Sequence, residues 1–464
     1  MNPVSQAAES QQRTEVERAL RLWQIAELYP PHYGGGAAIY VRDVSRFLAA
    51  RGHEVRVLCS DNRPGPAYTF KSEVVDGVHV DRINLPYLRG HDPGGWTLGI
   101  SGWKDHCRKI DAAVEALLAK EDWRPDVVTF HTPYSLYEEC LPAIRRRAIP
   151  IVGFVHCAWL VCPRLRLMRS PFNTPCGGPG PIRCLECLYS HWDGSHGQAL
   201  LKLAWRVLKL GAYPGYRLIG RYRARRQVDG VIAYSDFMRA AHQGHVPGPV
   251  VHIPLGIDLS GLPAERPARP RKPFRFGFLG GFQKHKGIFQ VMEAAAALRD
   301  QGLEAELHVW GPDLEGAPAA IATRGLEGRV VCRGLFSSDD RWGPLAEIDV
   351  LLMATQDVEP FGRVVQEAAA MGVPTIAPAI GGITEQIRDG IDGLLYQFGD
   401  QAYLERQMAR VLREPDLLQS LTRNLWKVLD TRDAVGALEE FYVEVLRCHR
   451  VGKTVRAMQT VGSR

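Results

Sequence analysis

The chain has 464 residues, with 57 Lys and Arg against 51 Asp and Glu and a formal net charge of +6. At about 150 residues per domain this length allows two or three domains, and 45 % hydrophobic with 23 % charged residues is the makeup of a globular protein that buries real cores. The modest charge gives no argument for a nucleic-acid partner, no window approaches the roughly 18 uncharged apolar residues of a membrane span, and the first twenty lack the apolar stretch of a signal peptide; a cytoplasmic protein with a disordered leader over residues 1–20 is expected.

In chain order, strand-like apolar runs begin near Leu22, Val55, Val74, Val80, Asp126, Pro150, Val231 and Val250. The first leads through Pro30-Pro31-His32-Tyr33-Gly34-Gly35-Gly36 into a helical pattern from Ala37 to Ala50. Three glycines there allow positive φ and close approach of a ligand phosphate or sugar to a helix start; a flexible turn is the plainer reading. Ligands gather at the carboxyl ends of strands in doubly wound sheets, which favours Gly35 and Gly36 as contacts. His156 ends the apolar run from Pro150 to Val155, and His131 ends Val127 to Phe130. A histidine at a strand end is a candidate for chemistry, or a satisfied structural residue.

Five of the ten cysteines fall between Cys157 and Cys187 in a Pro- and Gly-rich stretch. Cys162, Cys176, Cys184 and Cys187 end in a Cys-x2-Cys knuckle. Such a set can hold a structural zinc, stay as free thiols, or form disulfides. An irregular insert over 157–195 needs some internal staple, since it offers little core. From His196 to Val228 there are eight Lys or Arg and no acidic residue, interleaved with Leu200, Leu201, Leu203, Trp205, Val207, Leu208 and Leu210. This pattern reads either as a surface for anionic lipid headgroups or as a partly buried helix with a solvated basic face. The proline-rich stretch Leu262 to Pro273 cannot propagate a helix and is expected to be the hinge of a linker over 256–273.

Six further strand-like runs begin near Phe274, Ala305, Arg329, Asp349, Pro374 and Gly393, with helical patterns between them. Alternation of this kind implies a parallel, doubly wound sheet. The most informative segment runs from Glu359-Pro360-Phe361-Gly362-Arg363 through Glu367 to Gly372-Val373-Pro374. A strand ending near Ala354, a loop and then a helix leave free amides aimed at whatever sits above the loop, and these with the helix dipole favour a diphosphate. Gly362 lets the backbone come close. Glu367, about one turn into the helix, can accept hydrogen bonds from two vicinal ribose hydroxyls, while Glu359 stays in the loop.

This segment resembles the C-terminal signature of the family-four retaining glycosyltransferases. Also similar to that family are Phe278-Leu279-Gly280-Gly281-Phe282-Gln283-Lys284-His285-Lys286-Gly287, the strand from Ala305 ending in Gly311-Pro312, Gly381-Gly382-Ile383-Thr384-Glu385, Asp389 to Leu395, and the early Gly34-Gly35-Gly36 and Arg51-Gly52-His53-Glu54-Val55. The resemblance spans roughly residues 21 to 415. It implies a GT-B fold, two Rossmann-like doubly wound α/β domains facing a central cleft. These would be an acceptor-side domain over 21–255 carrying the insert, a nucleotide-sugar-binding domain over 274–430, and a C-terminal helix and tail over 431–464.

The activity implied is transfer, with retention, of a sugar from a UDP-, GDP- or ADP-sugar to a sugar or lipid-linked hydroxyl acceptor. No metal is required for catalysis, peripheral membrane contact is consistent with it, and no nucleic acid is expected. Glu359, His156 and Lys286 would be the catalytic residues, with Lys286 opposing charge on the leaving diphosphate and His156 facing the donor sugar. Gly35, Gly36, Lys284, Gly311, Phe361, Gly362, Arg363 and Glu367 would bind the donor. One departure stands out: the family places an arginine where this chain has Gly281. A GT-B epimerase or phosphorylase, or a non-catalytic module that binds a sugar nucleotide or a nucleic acid, are the alternatives.

Overall fold

In a computed structural model of the chain, the described residues are 18–31, 35–61, 63, 65–85, 99–120, 123–131, 136–169, 174–192, 211–265, 269–337 and 340–451. They form two compact units, one from within 1–255 together with 431–464, the other from 256–430. No helix among the described residues is long and apolar enough to cross a membrane.

The first unit is built on an eight-stranded sheet in the order β10-β9-β6-β5-β1-β2-β4-β3. Its strands are β1 (Arg21–Ala26), β2 (Glu54–Asp61), β3 (Phe70–Val75), β4 (Val78–Asn84), β5 (Val127–His131), β6 (Ile151–Phe154), β9 (Gly230–Ala233) and β10 (Val250–His252). A two-residue pair, β7 (Met168–Arg169) with β8 (Thr174–Pro175), stands apart from it. All neighbours in the large sheet are parallel except β3, which runs antiparallel to β4 at the edge. The central strands are buried along nearly their whole length, as parallel strands covered on both faces must be. The order reverses between β1 and β5: from β1 the chain first builds toward β2, and later toward β6 on the other side.

The helix Gly36–Ala50 follows β1, and the final helix Thr431–Arg450 packs back on this unit. Glu439 of that last helix is 7 % exposed; its carboxylate accepts from Arg51 Nε at 2.6 Å and meets His53 Nε2 at 2.8 Å. Phe441 and Tyr442 are fully buried, and a Cβ on Gly230 would meet the Phe441 ring at 2.7 Å. The resemblance implies that the helical residues after about Pro415 pack back across the domain junction; in the structure the helix Thr431–Arg450 belongs to the first unit and its core.

The second unit carries a six-stranded, wholly parallel sheet in the order β13-β12-β11-β14-β15-β16. The strands are β11 (Arg275–Leu279), β12 (Glu306–Trp310), β13 (Val330–Gly334), β14 (Val350–Leu352), β15 (Thr375–Pro378) and β16 (Gly393–Tyr396). One face packs Phe276, Phe278, Val309 and Leu352 under the helices Ile288–Asp300 and Gln401–Arg413. The other packs Leu351 with Trp342, Ile348 and Ala368. Here the order reverses between β11 and β14.

The stretch expected as a hinge is instead tied to the second unit. Arg269 donates to the carbonyls of Ile348 and Leu345 at 3.0 and 3.1 Å, Arg271 pairs with the fully buried Asp349, and Ile257, 0 % exposed, bridges to Asp430. Proline does prevent a helix there, and guanidinium bonds to backbone carbonyls tie the irregular chain down.

Candidate active site

In the second unit the chemistry-bearing loops follow β11 and β14, the two strands at the point where the sheet order reverses. This is where a doubly wound sheet opens a crevice. The β11 loop is shaped by glycine. Gly281 has φ +62°, and a Cβ there would meet the Pro312 carbonyl oxygen at 2.3 Å; Gly311 has φ +131°, with the Gly281 nitrogen 2.3 Å from its Cβ position. The two backbones touch where side chains would separate them, and Gly281 N–H donates to Trp310 O at 2.8 Å. The family's arginine therefore has no place at Gly281 in this backbone. Lys284 is exposed and Lys286 half-buried, in a short 3-10 turn closed by Gly287 at φ +87°.

The loop after β14 is tied to the first loop by Gln356, whose N–H donates to His285 O at 2.9 Å and whose side chain donates to Gln290 at 2.6 Å. It is supported from below by Gly381 and Gly382, whose Cβ positions lie 2.1 Å from Glu359 O and 2.2 Å from Pro360 O. Gly382 N–H donates to Glu359 O at 2.9 Å, and the Gln386 amide donates to Phe361 O. Glu359 is half-buried. Desolvation, with help from Asp357, raises its pKa above the ordinary value against the opposing pull of Lys286 and of the Gly362 and Phe361 amides. Glu359 and Lys286 are thus close enough to interact.

The helix Arg363–Ala370 starts from Gly362, φ +88°, with no side chain capping its first amides. Arg363 Nε donates to Glu367 Oε1 at 3.0 Å, with the two side chains 10 % and 15 % exposed. The sequence reading offers Glu367 to a ribose; in the structure one of its oxygens is already oriented by the arginine one turn before it.

The first unit has its own cluster at its own point of reversal. Gly35 caps the helix Gly36–Ala50 with φ −68° and ψ 153°, an extended conformation rather than the positive φ that the glycine run allowed. A Cβ on Gly36 would meet nothing within 4 Å. His32, Tyr33 and Gly34 lie outside the described residues. Ahead of them, the fully buried Arg82 donates to Tyr29 O at 2.9 Å and Pro30 O at 2.7 Å and pairs with Glu73. Nothing in local sequence signals this clamp, because it reaches back 53 residues. His131 at the end of β5 and His156 just beyond β6 meet, Nδ1 to Nε2, at 3.0 Å. Burial lowers the His131 pKa to about 3.

The cysteine-rich insert contains structure that its composition hid: the β7–β8 pair and a helix, Pro181–Trp192. Cys162, Cys176, Cys184 and Cys187 are free thiols, and among the described residues no group of three or more His, Cys, Asp or Glu is arranged to hold a metal. Cys176 Sγ donates to Gly178 O at 3.4 Å, Cys184 Sγ accepts from Gly180 N at 3.4 Å, and Cys187 Sγ accepts from Arg164 at 3.4 Å. Cys184 and Leu188 pack on Leu218 of the helix Tyr213–Ala224, which gives the insert an apolar staple. That helix lies in the described part of the basic stretch, 211–228; residues 196–210 lie outside the described residues. The helix is partly buried: Arg217, 1 % exposed, lies 3.2 Å over the Trp103 ring centroid.

Comparison with known proteins covers both units. The description Glycosyl transferases group 1 matches residues 264–427, and Glycosyltransferase Family 4 matches residues 34–260. A 2-deoxystreptamine glucosyltransferase from Streptomyces kanamyceticus is 33 % identical over 81 % of this chain and 89 % of its own length. A glycogen synthase from Mycobacterium tuberculosis is 24 % identical over 93 % of this chain and 96 % of its own. Among solved structures, the starch synthase IV catalytic domain from Arabidopsis thaliana bound to ADP and acarbose superposes with TM-score 0.62 at 13 % identity, covering 93 % of this chain and 100 % of that one. Anabaena HepE in complex with UDP and glucose gives 0.58 at 17 %, covering 91 % and 99 %. The chain belongs to the family-four glycosyltransferases of GT-B fold, and it is a nucleotide-sugar glycosyltransferase.

Proposed function

We propose that this chain transfers a hexose with retention of configuration from a nucleoside-diphosphate sugar to a hydroxyl of a glycan, cyclitol or other glycoconjugate acceptor. The observation that carries the reading is the convergence of Lys286, Glu359 and the uncapped start of the helix Arg363–Ala370 on the reversal point of one parallel sheet. In this reading the helix amides and Lys286 oppose the charge that grows on the leaving diphosphate, more in the transition state than in the ground state. Lys284, exposed on the same turn, adds charge where the family's arginine is missing. Glu367, oriented by Arg363, takes the ribose hydroxyls, Phe361 and Gly362 border the phosphates, and Gly311 keeps the strand end open to them.

Glu359 is assigned to the transferred sugar. Its desolvated carboxylate, held by two amides, is a strong acceptor for sugar hydroxyls whose hydrogen bonds tighten as the ring gains positive charge. Gly36, glycine where the chain itself leaves room for a side chain, supports a ligand contact at the first unit's helix start, and His156 is assigned a sugar hydroxyl. An aminocyclitol-like acceptor is suggested by the glucosyltransferase relative, and UDP as the donor's nucleotide by the HepE complexes. A lipid-linked acceptor is the second reading, favoured by Arg223, Arg226 and Ile219, which stay exposed on or beside the helix Tyr213–Ala224.

The test is donor turnover in Glu359→Gln. We expect nucleotide diphosphate affinity within about twofold of the parent and a turnover loss of about a hundredfold or more, followed by NMR of anomeric protons in donor and product. Equal loss of affinity and turnover, or inversion at the anomeric carbon, overturns the assignment.

A further inference from the structure

We propose that His131, backed by Gln24, is the positioning residue for His156. It commits His156 to the tautomer protonated on Nε2, so that any sugar hydroxyl the ring takes is met from its Nδ1 side. The use of that ring in transfer rests on the function proposed above; the lock itself does not.

The chain of donors has one direction. Gln24 lies in the middle of β1, 0 % exposed, in a strand otherwise apolar at its buried positions. Its Oε1 is 2.6 Å from His131 Nε2. With its Oε1 toward the ring Gln24 only accepts, so His131 carries its proton on Nε2; a Gln24 amide turned the other way would reverse the relay, and that is the outcome an Nδ1–H pattern in the proton–nitrogen spectrum reports. A neutral imidazole has one N–H, and burial keeps His131 neutral, which leaves Nδ1 as an acceptor. Its partner at 3.0 Å, His156 Nε2, must then be the donor.

Geometry fixes the ring as firmly as the proton. Phe154 stacks on His156 at 4.7 Å and 18°, and on His131 at 5.1 Å and 22°. Tyr40, from the helix that Gly35 caps, meets His156 edge-on at 5.3 Å. Tyr234 O–H donates to the His156 carbonyl at 2.6 Å. Behind Gln24, Thr129 donates to the Tyr442 hydroxyl at 3.1 Å, so the last helix closes the back of the relay. Gln24 is the one polar residue among the buried positions of β1, and its oxygen is spent on His131 Nε2.

The experiment is a long-range proton–nitrogen NMR spectrum of the full chain labelled with 15N-histidine, the His156 signals being identified by their loss in His156→Gln. The expected pattern is that of an Nε2–H ring. His131→Phe keeps the aromatic volume but removes the acceptor, and is expected to bring the two His156 nitrogen shifts together as the tautomers mix. His131→Asn, which offers an amide oxygen, is expected to restore the pattern. Gln24→Met is expected to mix the tautomers as well, and reads the same relay should His131→Phe fail to fold.

With UDP-glucose as the probe donor, His131→Phe is expected to lower kcat by about five- to tenfold, the kinetic size of one hydrogen bond, with KM changed less than about twofold and kcat recovered in His131→Asn. An Nδ1–H pattern in the parent protein, or tautomer shifts unmoved by both His131→Phe and Gln24→Met, overturns the proposal. If UDP-glucose is not turned over at all, the function reading for that donor fails while the spectrum still decides the lock.

Discussion

Glu139 shows how much one side chain can carry. It sits on the helix Tyr137–Arg146, 2 % exposed, its Oε1 buried without a hydrogen-bond partner among the described residues. Burial and the adjacent Glu138 raise its pKa to about 8, against the pull of Arg217. Because the folded value lies above the unfolded value near 4.5, its contribution to stability is fully present below about 4.5 and is lost as pH rises through about 8. Glu139→Gln mimics the protonated group at every pH. Chemical denaturation is expected to find the variant close to the parent near pH 4.5 and increasingly more stable above it, the gap growing by about 1.4 kcal/mol per pH unit up to about pH 8. A gap independent of pH contradicts this. Nothing around Glu138-Glu139 in the sequence distinguishes the buried Glu139 from its half-buried neighbour, which pairs with Arg221 at 3.6 Å. The same holds for Gln24, whose partner His131 lies 107 residues away.

At the scale of elements, the loop after β11 explains the chain's main departure from its family. Gly281 is fixed by φ +62° and by the Pro312 carbonyl 2.3 Å from its Cβ position. Gly281→Arg, which reinstates the family's residue, is therefore expected to destabilise the protein by about 1–3 kcal/mol and to gain no turnover. A stable, more active variant would show that the loop has room for the arginine. All fourteen strand-like runs read from the sequence are strands, since apolar runs bounded by turn residues carry that information locally. The helix Pro181–Trp192 is absent from the sequence reading, because its glycine- and proline-rich surroundings suggest an irregular insert whose cysteines fit a metal, free thiols or disulfides alike. Cys184 and Leu188 pack against Leu218, a residue thirty or more positions later. Candidate residues within one motif, from Glu359 to Glu367, were legible together; the Arg363–Glu367 pairing needed the helix to be seen. The basic helix was read correctly as basic, but only coordinates show Arg217 turned inward onto Trp103.

At the scale of the molecule, the chain passes from one compact unit to the other at residues 255–256 and returns at 430–431. The return is driven by the buried face of the last helix, Phe441 and Tyr442, and by Glu439 on Arg51 and His53. The family resemblance implies that the chain packs back after about Pro415, but which residues make the return, Glu439 on Arg51 and His53, is not legible locally because they lie more than 380 positions apart. Each unit presents its charged or hydrogen-bonding residues where its own sheet order reverses, and the second unit carries the groups assigned to the nucleotide.

That assignment is tested most directly by thermal denaturation with saturating UDP-, GDP- and ADP-sugars in the parent protein and in Glu367→Ala. A donor held at about a hundred times its Kd adds about 2.7 kcal/mol to the folded state. One nucleotide series is expected to raise the melting temperature of the parent, and Glu367→Ala to abolish the rise. A flat response to all three, or an undiminished rise in Glu367→Ala, would contradict the account.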